Sequence, residues 1–180
     1  MKYILLLSTV LIFHFGSVAQ SAAPIKMIRT QATTKNEAGL YYAKSTEGNF
    51  SVLLPIPFND YSLTADNFTT YGIGSKNQEG IKFSVTEMTK NEEHKTVDLD
   101  ALMNNLKDPD NTIVNVKKEK TGNYESIIFS VLDSSSGAIC KYVVTKNKLF
   151  LMIIEFPIDY RKKVENEYGY FFSSLRITKF

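Results

Sequence analysis

Apolar positions alternate with polar ones along most of this chain and switch to helical spacing twice. Leu149 to Ile154 is an uninterrupted run of six apolar residues. A strand with one wet face alternates, so an unbroken run predicts a strand covered on both faces. The preceding segment, Ile139–Thr145, is rich in β-branched and apolar residues, which favour strand. Lys146-Asn147 between the two reads as a polar turn, with Asn147 suited to a positive φ. The hairpin Ile139–Phe156 is therefore expected at the centre of a sheet with layers above and below it.

The remaining strands follow from shorter patterns. Leu40–Lys44 and Asn49–Leu54 flank the turn Ser45-Thr46-Glu47-Gly48, and Phe50, Val52 and Leu54 share a face,. Pro55 and Pro57 end regular pairing, since each lacks a donor. Ser62–Asn67 reads as loop. Phe68–Ile73 and Ile81–Met88 form the next pair. Thr112–Lys118 turns at Lys120–Asn123 into Tyr124–Leu132, and Ser134–Gly137 leads into the central hairpin.

Two segments carry helical spacing. Leu99, Leu102, Met103 and Leu106 recur on one face behind Asp98, a good N-cap, and Pro109 stops the pattern,. Tyr160, Val164, Tyr168, Phe171, Phe172 and Leu175 form a second stripe behind Asp159. Arg161–Glu165 and Lys163–Glu167 sit at i, i+4 on its polar face,. Gly169 is unfavourable inside a helix, and a close approach of helix to sheet would account for it. A short strand, Leu175–Ile177, closes the order. Strands, helix, strands and helix together predict an α+β fold: an antiparallel sheet with a helix on each face.

Residues 1–19 read as a secretory signal peptide: Lys2, an apolar stretch Ile4–Phe15, then Gly16 and the small residues Ser17-Val18-Ala19,. The apolar stretch is shorter than the roughly 20 residues a membrane span requires, so no span is expected after cleavage and the mature chain is expected to be secreted or periplasmic. Residues 20–38 lack a sustained period and read as a flexible tether. Residues 39–180 are then one domain.

The totals narrow the chemistry. Net charge is +2, from 21 basic and 19 acidic side chains. Nucleic-acid binding requires a concentrated basic surface, and such a balance does not supply one. The single cysteine, Cys140, lies inside the central hairpin and reads as a buried apolar residue,. His94 is the only histidine beyond the signal peptide and sits in a charged loop. One histidine and one distant cysteine do not make a usual zinc ligand set, so no metal or cofactor is expected. Asp108–Asn111 lacks the glycine and closing glutamate of a calcium loop. Gly72-Ile73-Gly74 is too short to cradle a phosphate. Tyr170 falls off the helical stripe and, with Tyr41, Tyr42 and Tyr61, is a candidate edge for a ligand or partner surface.

Tyr42–Pro55, with Ser45-Thr46-Glu47-Gly48-Asn49-Phe50-Ser51-Val52 at its centre, resembles the opening of PsbP-like secreted domains. Lys148–Met152 and Phe171-Phe172-Ser173-Ser174-Leu175-Arg176-Ile177 resemble that family's closing strand and final motif, with Leu175 where the family often has phenylalanine. The resemblance runs from about Leu40 to Ile177 in the order of elements. It implies an α/β/α sandwich, a bacterial source, and accessory or binding roles rather than catalysis. No functional residue carries over. Three functions stand open. One is a non-catalytic binding or accessory domain of the cell envelope, taking an unknown protein or small ligand on a surface patch or in a groove between sheet and helix. Another is a carrier of a small hydrophobic ligand in an aromatic-lined pocket. The third is an enzyme using Glu87, Glu92 or Glu93 near Asp98.

Overall fold

The computed structural model describes residues 25–28, 35–65, 68–90 and 97–178. The signal peptide read at 1–19 lies outside them, as do Glu92, Glu93 and His94. In chain order the strands are β1 (Ile25–Ile28), β2 (Tyr41–Lys44), β3 (Phe50–Leu54), β4 (Asn59–Ala65), β5 (Phe68–Lys76) and β6 (Lys82–Thr89). They continue as β7 (Thr112–Thr121), β8 (Tyr124–Leu132), β9 (Ser136–Val144), β10 (Lys148–Pro157) and β11 (Arg176–Ile177). The helices are α1 (Leu99–Asn104), α2 (Arg161–Glu167) and α3 (Gly169–Ser173).

Eight strands form one antiparallel sheet in the order β1-β4-β5-β6-β10-β9-β8-β7, and β11-β3-β2 form a second, smaller one. The hairpin β9–β10 is central, as its unbroken apolar run requires. Leu149, Leu151 and Ile153 face one side and Phe150, Met152, Ile154 and Phe156 the other, all buried. Its turn is closed by Thr145, whose hydroxyl accepts the Lys148 N–H at 2.9 Å. Asn147 does not adopt the expected positive φ; among the described non-glycine residues only Asn115 does.

The first face carries the small sheet with α2 and α3. Phe50, Val52 and Leu54 descend from β3, and Val164, Phe171, Phe172 and Leu175 come from the C-terminal segment, to pack on Phe83, Phe150, Met152 and Ile154. The Phe50–Phe150 and Phe83–Phe171 rings meet edge to face at 5.9 and 5.6 Å, a favoured aromatic arrangement. The second face carries Ile127, Phe129, Tyr142, Leu149, Leu151 and Ile153, against which Leu99, Leu102, Met103 and Leu106 of α1 and its C-terminal flank pack. Asp98 caps α1 as expected, accepting the N–H groups of Asp100 and Ala101 at 2.9 and 3.2 Å.

The expected α+β sheet with a helix on each face, the α/β/α sandwich of the resemblance, is not what the chain builds. Strand accounts for 54% of the structure and helix for 16%. Among the described residues, the first face is covered by a second sheet and two short helices, and the second by one helix of six residues, none of them fully buried. Two local causes lie behind this. The β2–β3 hairpin buries its own apolar face as a separate layer instead of extending the main sheet. The expected C-terminal helix is broken: a 3₁₀ turn at Ile158–Tyr160 precedes α2, and Tyr168, at φ −112° and ψ 9°, separates α2 from α3. Asp159 makes no side-chain cap there. Of the two expected i, i+4 pairs, Arg161–Glu165 forms at 2.8 Å, whereas Lys163 reaches Glu79 on the β5–β6 turn at 2.7 Å.

Two strands were not foreseen. β4 occupies most of the stretch read as loop, because its buried positions, Asp60 and Ser62, are polar. Within the 20–38 segment read as a tether, Ile25–Ile28 pairs antiparallel with β4, Ile25 opposite Leu63 and Ile28 opposite Asp60.

Candidate functional site

The turn Ser45–Asn49, the core of the resemblance, is a docking device. Two fully buried carboxylates hold it against the first face of the main sheet. Asp60 on β4 accepts the Thr46 N–H at 2.6 Å and the Ser45 hydroxyl at 3.2 Å. Glu87 on β6 accepts the Asn49 N–H at 2.6 Å and pairs with Lys148 at 2.9 Å. Buried carboxylates are tolerated when paired and hydrogen-bonded, and these are consumed in holding one layer onto another.

The same covering layer stops short at the other end of the sheet. On β8, Ile127 and Phe129 are fully buried on the second face, while Ile128 and Tyr124 on the first face are only partly covered. The uncovered strip is a groove. Its floor is Ile128, Ser130 and Ile139, its inner wall is Val164, Gly169 and Phe172, and its outer wall is β7. This hollow has a volume of about 410 Å³. A second, of about 450 Å³, continues between the β7–β8 turn and β11, lined by Thr121, Tyr124, Leu175 and Ile177. Both fall in the range of about 300–1,000 Å³ usual for small-ligand sites.

Three local features shape this groove. Gly169 sits at the helix break, and a Cβ placed there would meet nothing within 4 Å. The close helix–sheet approach expected for it is absent, and its missing side chain leaves the inner wall open. Asn115 on the outer wall has φ +56° at a register shift between Val114 and Lys117. A bulge there bends the edge strand and re-aims its side chains. Lys141, 3% exposed, lies on the boundary shared by the two hollows. Its ammonium donates to Glu119 Oε1 at 2.6 Å and to the Phe172 carbonyl at 3.3 Å. Glu119 also pairs with Lys117 at 3.3 Å. The hydrogen bond from Lys141 is the chief cause that holds the Glu119 carboxyl below its ordinary value.

The four tyrosines singled out from sequence do not meet. Tyr42 projects from the outer face of the small sheet, 58% exposed, and Tyr41 points the opposite way beneath the Lys35 ammonium, 5.0 Å from its ring. Tyr61 lies on the second face of the main sheet, over Gly72, and its hydroxyl is 3.4 Å from that of Thr86. Tyr170 packs beside Tyr168, and burial pushes its phenol up to about 12. Cys140 is fully buried, and burial pushes its thiol to about 12, so it is no nucleophile. Glu87 and Asp98 lie on opposite faces of the sheet, so this acid pair does not converge. Asp108–Asn111 is a turn closed by its own side chains. Gly72 and Gly74 are residues of β5.

Sequence reasoning assigned no functional role to Lys141 or Glu119. The available signal was a lysine at a core-facing position inside an apolar strand, between Ile139 and Val143. Among the described residues no group of acids, histidines and cysteines is arranged to hold a metal ion, and no helix is long and apolar enough to cross a membrane. Compared with known proteins, no family model matches this sequence, and no curated protein matches it.

Proposed function

We propose that this chain works after export as a non-catalytic binding domain of the bacterial cell envelope, with the groove between β7–β9 and α2–α3 as its seat. The observation that carries the reading is the open, apolar-floored strip left where the covering layer ends. That strip is lined by a left-handed asparagine, a wall glycine without steric need and a buried ion pair. Strained backbone, bulges and buried charge cluster where proteins bind. The export signal read at 1–19 supports the compartment, and the resemblance to PsbP-like secreted domains supports both a bacterial source and an accessory role. The state of the acids favours binding over catalysis. Asp60 and Glu87 are locked to a turn, and Glu119 to two lysines.

Native mass spectrometry of the protein purified gently from its own envelope tests this, together with a Gly169→Trp variant. Tryptophan at 169 enters open space and fills the inner wall. The expected result is a co-purifying small molecule or polypeptide that the variant loses while its thermal unfolding is unchanged. Retention of the same companion by the folded variant would overturn the groove as the seat.

A further inference from the structure

Lys141 is out of place for stability alone. Its cross-strand neighbours are Met152 on β10 and Ile128 on β8, and along β9 its face continues into Ile139 and Val143. Replacing a buried ion pair by apolar side chains of similar volume is often neutral or stabilising, so the core gains little from a lysine here. The lysine instead brings an ammonium to the boundary between the two hollows. An ammonium carries three donors. Among the described residues two of them are used, on Glu119 and on the Phe172 carbonyl.

Glu119 shows what fits above that ammonium. It reaches across from the edge strand and is 26% exposed where Lys141 is 4% exposed by side chain. It is therefore the solvent-side member of the pair and sits over the lysine as a carboxylate supplied by the protein itself. From this point Ile128, Ile139, Val164 and Phe172 lead away along the first hollow as an apolar strip.

We infer that the groove takes a single-chain amphiphile bearing one carboxylate, whose head replaces Glu119 on Lys141 and whose hydrocarbon tail lies on the Ile128–Ile139 floor. The inference rests on the groove being the binding seat and names its ligand class. A membrane surface is not the source. Lipid headgroup recognition calls for clustered Lys and Arg, whereas here Glu119 and Glu165 line the same walls as Lys117 and Lys141.

Decanoate and its neutral counterpart decanol, titrated calorimetrically below their aggregation limits, test the inference. Wild-type protein binds decanoate and binds decanol about tenfold more weakly, because a charge-assisted hydrogen bond is lost. Glu119→Gln removes the competing carboxylate and tightens decanoate binding several-fold. Lys141→Met, checked for folding by near-ultraviolet circular dichroism, weakens it about tenfold or more and leaves decanol unaffected. The inference is overturned by decanoate binding that is unchanged in Lys141→Met or in Glu119→Gln, by equal affinity for decanol, or by no decanoate binding to either wild type or Glu119→Gln. Gly169→Trp separates the two readings. If it blocks a ligand that is indifferent to Lys141, the groove is the seat and only the ligand class fails. If it blocks no ligand at all, the seat itself fails.

Discussion

The main-chain N–H of Asn49 donates to Oε2 of Glu87 at 2.6 Å, joining the turn of the small sheet to a fully buried carboxylate of the large one. Glu87 also holds Lys148, itself mostly covered, at 2.9 Å. Removing one partner from a buried pair leaves an uncompensated charge and an orphaned donor, so Glu87→Ala is expected to cost about 3 kcal/mol. Asp60→Ala removes the acceptor of Thr46 and Ser45 and is expected to cost about 2 kcal/mol. Both anchors hold one turn, so the double variant should cost less than the sum of the two. Urea unfolding midpoints measure all three, and a strictly additive double variant would show that the turn is not a single latch.

Tyr61 and Gly72 make a second contact that substitution can read. The Tyr61 ring occupies the space a Cβ on Gly72 would need. Gly72→Ala overpacks this site and is expected to destabilise by about 1–3 kcal/mol. In a Tyr61→Ala background the same change should cost almost nothing, since the obstacle is gone. A penalty that persists there would place its origin in the backbone of β5.

The central hairpin was legible because its signal is local: Leu149–Ile154 has no polar interruption, and only a doubly covered strand tolerates that. Asp98 and the Leu99–Leu106 stripe were legible for the same reason. β4 was not, because its inward positions, Asp60 and Ser62, are polar, and the partners of Asp60 lie on a turn read separately. Alternation identified Phe50, Val52 and Leu54 as one face of a strand without saying which sheet it joins; that depends on Glu87 and Asp60 pinning the turn across. Lys141 interrupts an apolar strand in plain view. Its meaning depends on Glu119, which only the β7–β8–β9 meander brings to it, and on a helix break at Tyr168 that helical spacing conceals.

Tyr142 is fully buried on the second face, stacked 6.0 Å from Phe129, and its hydroxyl has no hydrogen-bond partner among the described residues. Burial raises its phenol pKa. A buried hydroxyl without a partner incurs its desolvation cost with no return, so Tyr142→Phe is expected to be neutral or to stabilise by about 1 kcal/mol. Thermal unfolding decides it, and a loss of more than about 1 kcal/mol would mean that the hydroxyl is satisfied in solution.

Acid should unfold the protein in part through Glu119 and Asp133. The hydrogen bond from Lys141 is the first cause that lowers Glu119 from its ordinary 4.5. For Asp133, burial acts to raise the carboxyl, but hydrogen bonds from Ser136 and Ser135 outweigh it and hold the group below 3.8. Both groups regain their ordinary values in the unfolded chain, which therefore binds protons first as pH falls. Stability from these groups is complete above about pH 5 and is lost as pH drops through the ordinary values toward the folded ones. Glu119→Gln combined with Asp133→Asn should lower stability at neutral pH and flatten its decline below about pH 5. Urea midpoints collected from about pH 6 down to about pH 3 compare the two proteins. Equal slopes for the variant and the wild type would show that the acid sensitivity resides in other carboxylates.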